Sequence, residues 1–189
     1  MQNIFEKKTF ENEDWSKRKI ASFDISNCAF SGCDFTGADF LNTKFIDCVF
    51  TRCNFSNSKV SGCSFRNVSF RECKIIGVVF SEINKFLLSW EFSKCTLNLC
   101  VFSNLDIRKS KFIECLIKET DFTDVNLTES DFSNSDLRES RFANVNLTGS
   151  NFTGAKNYFI NPTTNKIAKA KFSYPEVLAL LAAFNITIK

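Results

Sequence analysis

Histidine is absent from the 189 residues, and glycine (6), proline (2), tyrosine (2), tryptophan (2) and methionine (1) are scarce. Without His, the commonest general base and the commonest metal ligand are missing. Six scattered glycines build no phosphate-cradling loop: neither GxGxxG nor GxxxxGK followed by Ser or Thr occurs. No apolar run approaches the roughly 18 residues a membrane-spanning helix needs. The opening stretch MQNIFEKKTFENEDW lacks the apolar centre of a secretory signal. The expectation is a cytoplasmic protein that is not in a membrane, has no cofactor or metal, and is not an enzyme. At 44% hydrophobic and 24% charged, the chain has a folded protein's composition, and its length suits one domain.

What is abundant is phenylalanine, with 23 residues, and cysteine, with nine. A large apolar residue returns every five positions from Phe30 to Phe80 (Phe30, Phe35, Phe40, Phe45 and onward) and again from Phe92 to Phe152. Two residues before these centres the side chain is nearly always small, and all nine cysteines occupy that small position. The remaining positions are mostly polar, with Asp or Asn common just before the centre. A period of five fits neither a helix nor a flat strand. It fits a coil that turns a corner every five residues, four sides making a square of 20 residues that points one large and one small side chain inward per side. Stacked at the strand spacing of about 4.8 Å, Phe30, Phe50 and Phe70 fall above one another, and so do Cys33, Cys53 and Cys73. Such a solenoid contacts mainly its neighbouring coils and needs caps. The cysteines read as reduced structural residues, because they are five or more apart and no His joins them.

Motifs such as CDFTG (Cys33–Gly37), ADFLN (Ala38–Asn42), SDLRE (Ser135–Glu139) and SNFTG (Ser150–Gly154) resemble the pentapeptide repeat family. That resemblance implies an all-β solenoid, a right-handed quadrilateral β-helix. The expected organisation is an N-terminal cap coil over residues 1–24, the repeat over 25–155, and a C-terminal loop, helix and dimerisation segment over 156–189. Phe5, Phe10, Trp15 and Ile20 keep the five-residue spacing in the cap coil, but their small positions hold Asn3, Lys8, Glu13 and Arg18.

The pattern breaks twice more. Phe80 to Phe92 spans two residues too many, so the chain must bulge over 81–91. Either Phe86, Leu87, Leu88 and Trp90 repack locally, or they form a protruding loop that contacts a partner. After Ala155 the repeat stops. Ser173, Pro175 and Glu176 have capping-box spacing. They precede an expected helix, Val177–Phe184, apolar almost all round. Val177, Leu178, Leu180, Leu181 and Phe184 then either cap the rod or hold a homodimer, and Ile186–Ile188 reads as a strand.

Charge is uneven. Residues 44–111 carry 11 basic and 5 acidic side chains, whereas 119–139 carry seven acids (Glu119, Asp121, Asp124, Glu129, Asp131, Asp136 and Glu139) against Arg138 alone. These acids are either repeat residues bonding local backbone or a surface that presents phosphate-like charge to a DNA-binding groove.

The cap segment ENEDWS (Glu11–Ser16), the run SNCAFSGCDFTGADF, the mid-chain break and the tail NYFINPTTNKIAKAKFSYPEVLALLAAFNI together resemble the topoisomerase-protecting members of the family. These are the Qnr-type quinolone resistance proteins and the immunity proteins of microcin B17 and albicidin producers. The resemblance implies a homodimeric, DNA-mimicking rod that binds DNA gyrase or topoisomerase IV, relieves poisoning by an inhibitor, and binds no nucleic acid itself. A pentapeptide repeat scaffold with an unrelated protein partner is the alternative.

Overall fold

The computed structural model describes residues 3–187. They form one parallel β-solenoid of about eight right-handed turns with a short helix at the C-terminal end. Every coil has four faces. Face one is centred on Phe5, Ile25, Phe45 and Phe65; face two on Phe10, Phe30, Phe50 and Phe70; face three on Trp15, Phe35, Phe55 and Ile75; face four on Ile20, Phe40, Val60 and Phe80. Strands are two to four residues long, because each face turns a corner before a longer strand can form. On face one Ile4–Glu6, Asp24–Ser26, Lys44–Ile46 and Ser64–Arg66 pair in parallel. On face two the ladder runs from Thr9–Glu11 through Ala29–Ser31, Val49–Thr51, Val68–Arg71 and Trp90–Ser93 to Lys111–Ile113. The first coil therefore pairs in register despite its charged small positions.

The core is a set of side-chain columns. On face two, nine phenylalanines from Phe10 to Phe172 stack ring on ring, with centroids 4.8–5.2 Å apart and planes within 14° of parallel. Rings from different faces meet edge to face, as Phe112 and Phe122 do at 5.9 Å and 86°, so both favoured aromatic geometries are used at once. At about 4.8 Å per step, the eight steps of this column span about 38 Å.

The small position has a polar duty as well as a steric one. The side chain of Ser58 donates to the carbonyl of Phe35 (2.8 Å), and Cys53 and Cys115 donate to those of Phe30 and Phe92 (both 3.5 Å). Each partner lies 23 residues earlier, at the centre of the coil below. All nine cysteines are buried and free. Across the break the column of Cys33, Cys53 and Cys73 continues as Cys95 and Cys115, since Thr96 pairs with Lys74 and with Leu116.

The corners are left-handed. Residues two after each centre, such as Arg52 (φ 53°), Glu119 (φ 53°) and Asn134 (φ 58°), adopt positive φ. Glycine is needed where the coil below already fills the space. A Cβ on Gly32 would meet Asn12 Oδ1 at 2.4 Å, and one on Gly62 would meet Asn42 Oδ1 at 2.1 Å.

The break keeps the coils in phase. Phe92 stacks on Phe70 at 4.9 Å and Phe102 on Phe80 at 4.8 Å, each with a 22-residue offset. What is lost is one centre on face one: Asn84 N–H still donates to the Cys63 carbonyl, which puts Lys85 above Phe65, and its exposed side chain turns outward to the Asn104 carbonyl, while Leu87 takes the corner. Trp90 replaces the lost centre. Of the two alternatives for this residue, repacking holds: Trp90 is only 3% exposed. It occupies a small position on face two, opposite Val68. Its indole reaches inward to Phe65, Phe80, Phe92 and Phe102 at 5.4–6.1 Å. Its Nε1 donates to the Phe65 carbonyl at 3.1 Å. The vacated space and that carbonyl explain why a bulky side chain sits where small ones are the rule.

Candidate functional site

Three surfaces follow from the sequence reading, and the geometry treats them differently. The seven acids from Glu119 to Glu139 do not line one face. They girdle the rod over little more than one turn, in two structural kinds. Asp121, Asp131 and Asp136 precede centres, and their Oδ1 atoms accept the backbone N–H two residues on: Thr123 at 3.0 Å, Ser133 at 2.8 Å and Arg138 at 3.3 Å. Asp34 and Asn54 do the same in the non-acidic half, so for these three the local-backbone role holds. Asp136, expected at the surface, is 8% exposed. Arg138 Nε and Asn157 Nδ2 also donate to it, at 3.2 and 2.8 Å. Those bonds, led by the Arg138 guanidinium, hold its carboxyl below the ordinary carboxylate range.

Glu119, Asp124, Glu129 and Glu139 are corner residues, with φ of 53–58°, and all four are exposed. Glu119 and Glu139 share one corner on consecutive coils, with Lys118 bridging them at 3.0 and 3.6 Å. Glu129 faces Lys109 at 3.6 Å, and Asp124 accepts from Asn144. Exposed ion pairs of this kind are worth about 0–1 kcal/mol, so the corner acids contribute little to holding the fold. The distinction was readable in the sequence from position within the repeat, one before a centre or two after it.

Of the four apolar candidates at the break, only Phe86 (66% exposed) and Leu87 (58%) are presented to solvent; Leu88 packs half-buried against the core. Leu87 holds φ 54°, a strained conformation for a bulky residue. Beneath Leu87 and Leu88 lies a shallow hollow of about 300 Å³, lined by Ile46, Arg66 and Asn67.

The terminal segment forms a helix over Glu176–Phe184, of 3-10 rather than α type. The expected capping box is not made. Pro175 is the N-cap, and Ser173 Oγ instead accepts from Gly154 N–H at 2.9 Å, tying the segment to the last coils. Ala179 and Leu180 pack on the core. Val177, Leu178 and Leu181 are half-buried, and Phe184 is 52% exposed. Ile186 and Thr187 form no strand; Ile188 lies outside the described residues. Among the described residues no helix is long and apolar enough to cross a membrane, and no group of three or more His, Cys, Asp or Glu could hold a metal ion.

A family model described as a pentapeptide repeat region matches residues 23–85 and 83–152, and the chain belongs to the pentapeptide repeat family. No curated protein matches the sequence. Among solved structures, three of QnrB1, a plasmid-mediated fluoroquinolone resistance protein, are similar in fold. One trypsin-treated variant superposes with TM-score 0.78 at 17% identity, covering 100% of both chains. A second trypsin-treated variant gives 0.65 at 18% identity over 98% of this chain and 100% of that one. The full-length form gives 0.54 at 18% over 97% of this chain and 100% of that one.

Proposed function

We propose that this chain is a non-catalytic, cytoplasmic, DNA-mimicking protein that binds a type II topoisomerase, DNA gyrase or topoisomerase IV, and protects it from an inhibitor. The observation that carries the reading is the end-to-end match to QnrB1, a fluoroquinolone resistance protein, which spans the mid-rod break and the terminal helix as well as the repeat. The acidic girdle supplies a means. Glu119 and Glu139 repeat along one corner at the coil spacing of about 4.8 Å, of the same order as the roughly 3.4 Å of helix axis per phosphate on one DNA strand. A basic groove built for phosphates would meet carboxylates on a rigid rod at a comparable pitch. The contact set is then Glu119, Asp124, Glu129 and Glu139, with Phe86 and Leu87 as a second contact at the break.

The reading includes a homodimer through the terminal helix. Its half-buried Val177, Leu178 and Leu181, with exposed Phe184, leave an apolar surface that a second copy would cover by two-fold symmetry. The test is supercoiling by purified gyrase poisoned with a quinolone, with and without the protein. Restored supercoiling supports protection. No effect on poisoned or free enzyme returns the chain to a scaffold with another partner.

A further inference from the structure

Face four carries a pattern to which the girdle contributes one member, Asp121. Its outward column one residue before each centre begins at Lys19, which bridges Asp39, and then reads, coil by coil, Asp39, Lys59, Val79, Val101, Asp121, Arg141. Parallel bridges join Asp39 to Lys59, Val79 to Val101, Val101 to Asp121, and Asp121 to Arg141, so these residues stack on successive rungs. Lys59 and Val79 line one surface hollow, which keeps the middle step continuous. From Asp39 to Arg141 the column is charge-complementary to itself about the point between Val79 and Val101, each charge on one side matched by the opposite sign at the same distance on the other. None of Asp39, Lys59, Asp121 and Arg141 belongs to an ion pair among the described residues.

We propose that face four is a self-complementary docking surface for a second, antiparallel copy of this chain. A two-fold axis in the interface plane, crossing the rod between these two valines, places Val79 against the partner's Val101. It also places Lys59 against the partner's Asp121, and Asp39 against the partner's Arg141. Each contact is made twice, as an isologous interface requires.

The neighbouring columns fit the same operation. The corner before face four places Gly77 opposite the partner's Leu99. Leu99 is a bulky residue at φ 56° that is 53% exposed, and glycine is the residue that leaves room for it. The outward column after the centres is made of small residues at the middle rungs, Ser61, Ser81, Ser103 and Thr123, so two flat faces can approach closely. No like charges meet in any of these columns. The interface is separate from the terminal helix, but its corner column runs on from Leu99 to Glu119 and Glu139, so face-to-face docking and the topoisomerase contact proposed above compete for that corner.

The test uses the full chain. Lys59→Glu or Asp121→Lys alone should weaken face-to-face association at least tenfold in sedimentation equilibrium, and the combined swap should recover most of it. A Lys59→Cys/Asp121→Cys variant should form a disulfide-linked dimer on oxidation, and the single Lys59→Cys chain should not. Within one chain those positions lie three coils apart, about 14 Å, beyond the roughly 7 Å that a disulfide can bridge. A swap no better than either single reversal, or a double-cysteine chain that stays uncrosslinked, overturns the proposal.

Discussion

The thiol of Cys63 donates to the carbonyl of Phe40, 2.9 Å away and 23 residues earlier in the chain. The same carbonyl also accepts the Thr43 backbone N–H at 2.8 Å. One bond closes a corner and the other ties it to the next coil. The inward small position therefore selects Cys, Ser and Thr for the same reason: each is compact and each donates.

It follows that Cys63→Ser should cost at most about 1 kcal/mol, because the hydroxyl keeps the donor, and that Cys63→Ala should cost about 1–2 kcal/mol through lost bonding and volume. Urea midpoints measure both. Burial pushes the thiols of Cys48 to about 11 and of Cys63 and Cys100 to about 12. Ellman's reagent at pH 8 should therefore label them only on unfolding; fast labelling of the folded chain would contradict the inward column.

Phe122 lies between Phe102 and Phe142, at 5.2 and 5.1 Å. Phe122→Ala should cost about 3–5 kcal/mol, and Trp90→Ala a similar amount, since each opens a cavity between coils. Phe86→Ala, at an exposed position, should stay within about 0.5 kcal/mol. Equal losses at Phe86 and Trp90 would place the indole outside the core.

Asp136 couples stability to pH. Its folded carboxyl titrates below the ordinary value of about 3.9. Its contribution is therefore complete above that value and is lost as pH falls through the lower folded pKa. The urea midpoint of the parent should fall as pH drops from 5 to 2, and Asp136→Asn should flatten part of that fall. An unchanged slope in the variant would assign the acid sensitivity to other carboxylates.

Reversal of the corner acids, Glu119→Lys, Asp124→Lys, Glu129→Lys and Glu139→Lys together, should leave the circular dichroism unchanged and abolish topoisomerase protection. Binding by the parent should weaken with salt, as exposed charge is screened over about 8–10 Å at physiological ionic strength. The matched control, Arg66→Glu with Arg71→Glu, should be nearly silent. A folded four-Lys variant that still protects would move the contact to Phe86 and Leu87.

In a Lys59→Glu background, which removes the face-four contact, Leu181→Asp should convert a tail-to-tail dimer to monomer or aggregate. Sedimentation of the parent as a monomer at tens of micromolar would make the terminal helix a cap.

Most of this architecture was legible because one period sets everything: a centre every five residues assigns the faces, the small column and the corners together. Trp90 was hidden because its role depends on a missing neighbour, the outward-turned Lys85 on the preceding face, and the pattern around Trp90 does not say what fills that vacancy. Ser173 and Glu176 have the spacing of a cap, yet Ser173 bonds Gly154 on the preceding coil, a tertiary partner that local spacing does not reveal. The burial of Asp136 likewise depends on Asn157, brought over it only by the coil's return.

The break at 81–91 behaves as an expansion joint. It takes up two extra residues while Phe92 still sits over Phe70, so the length of the chain at that corner is uncoupled from the pitch of the rod. Residues can be gained or lost there during divergence without rotating the acidic girdle relative to the N-terminal coils, and the segment is free to change its chemistry while the two halves it joins stay aligned.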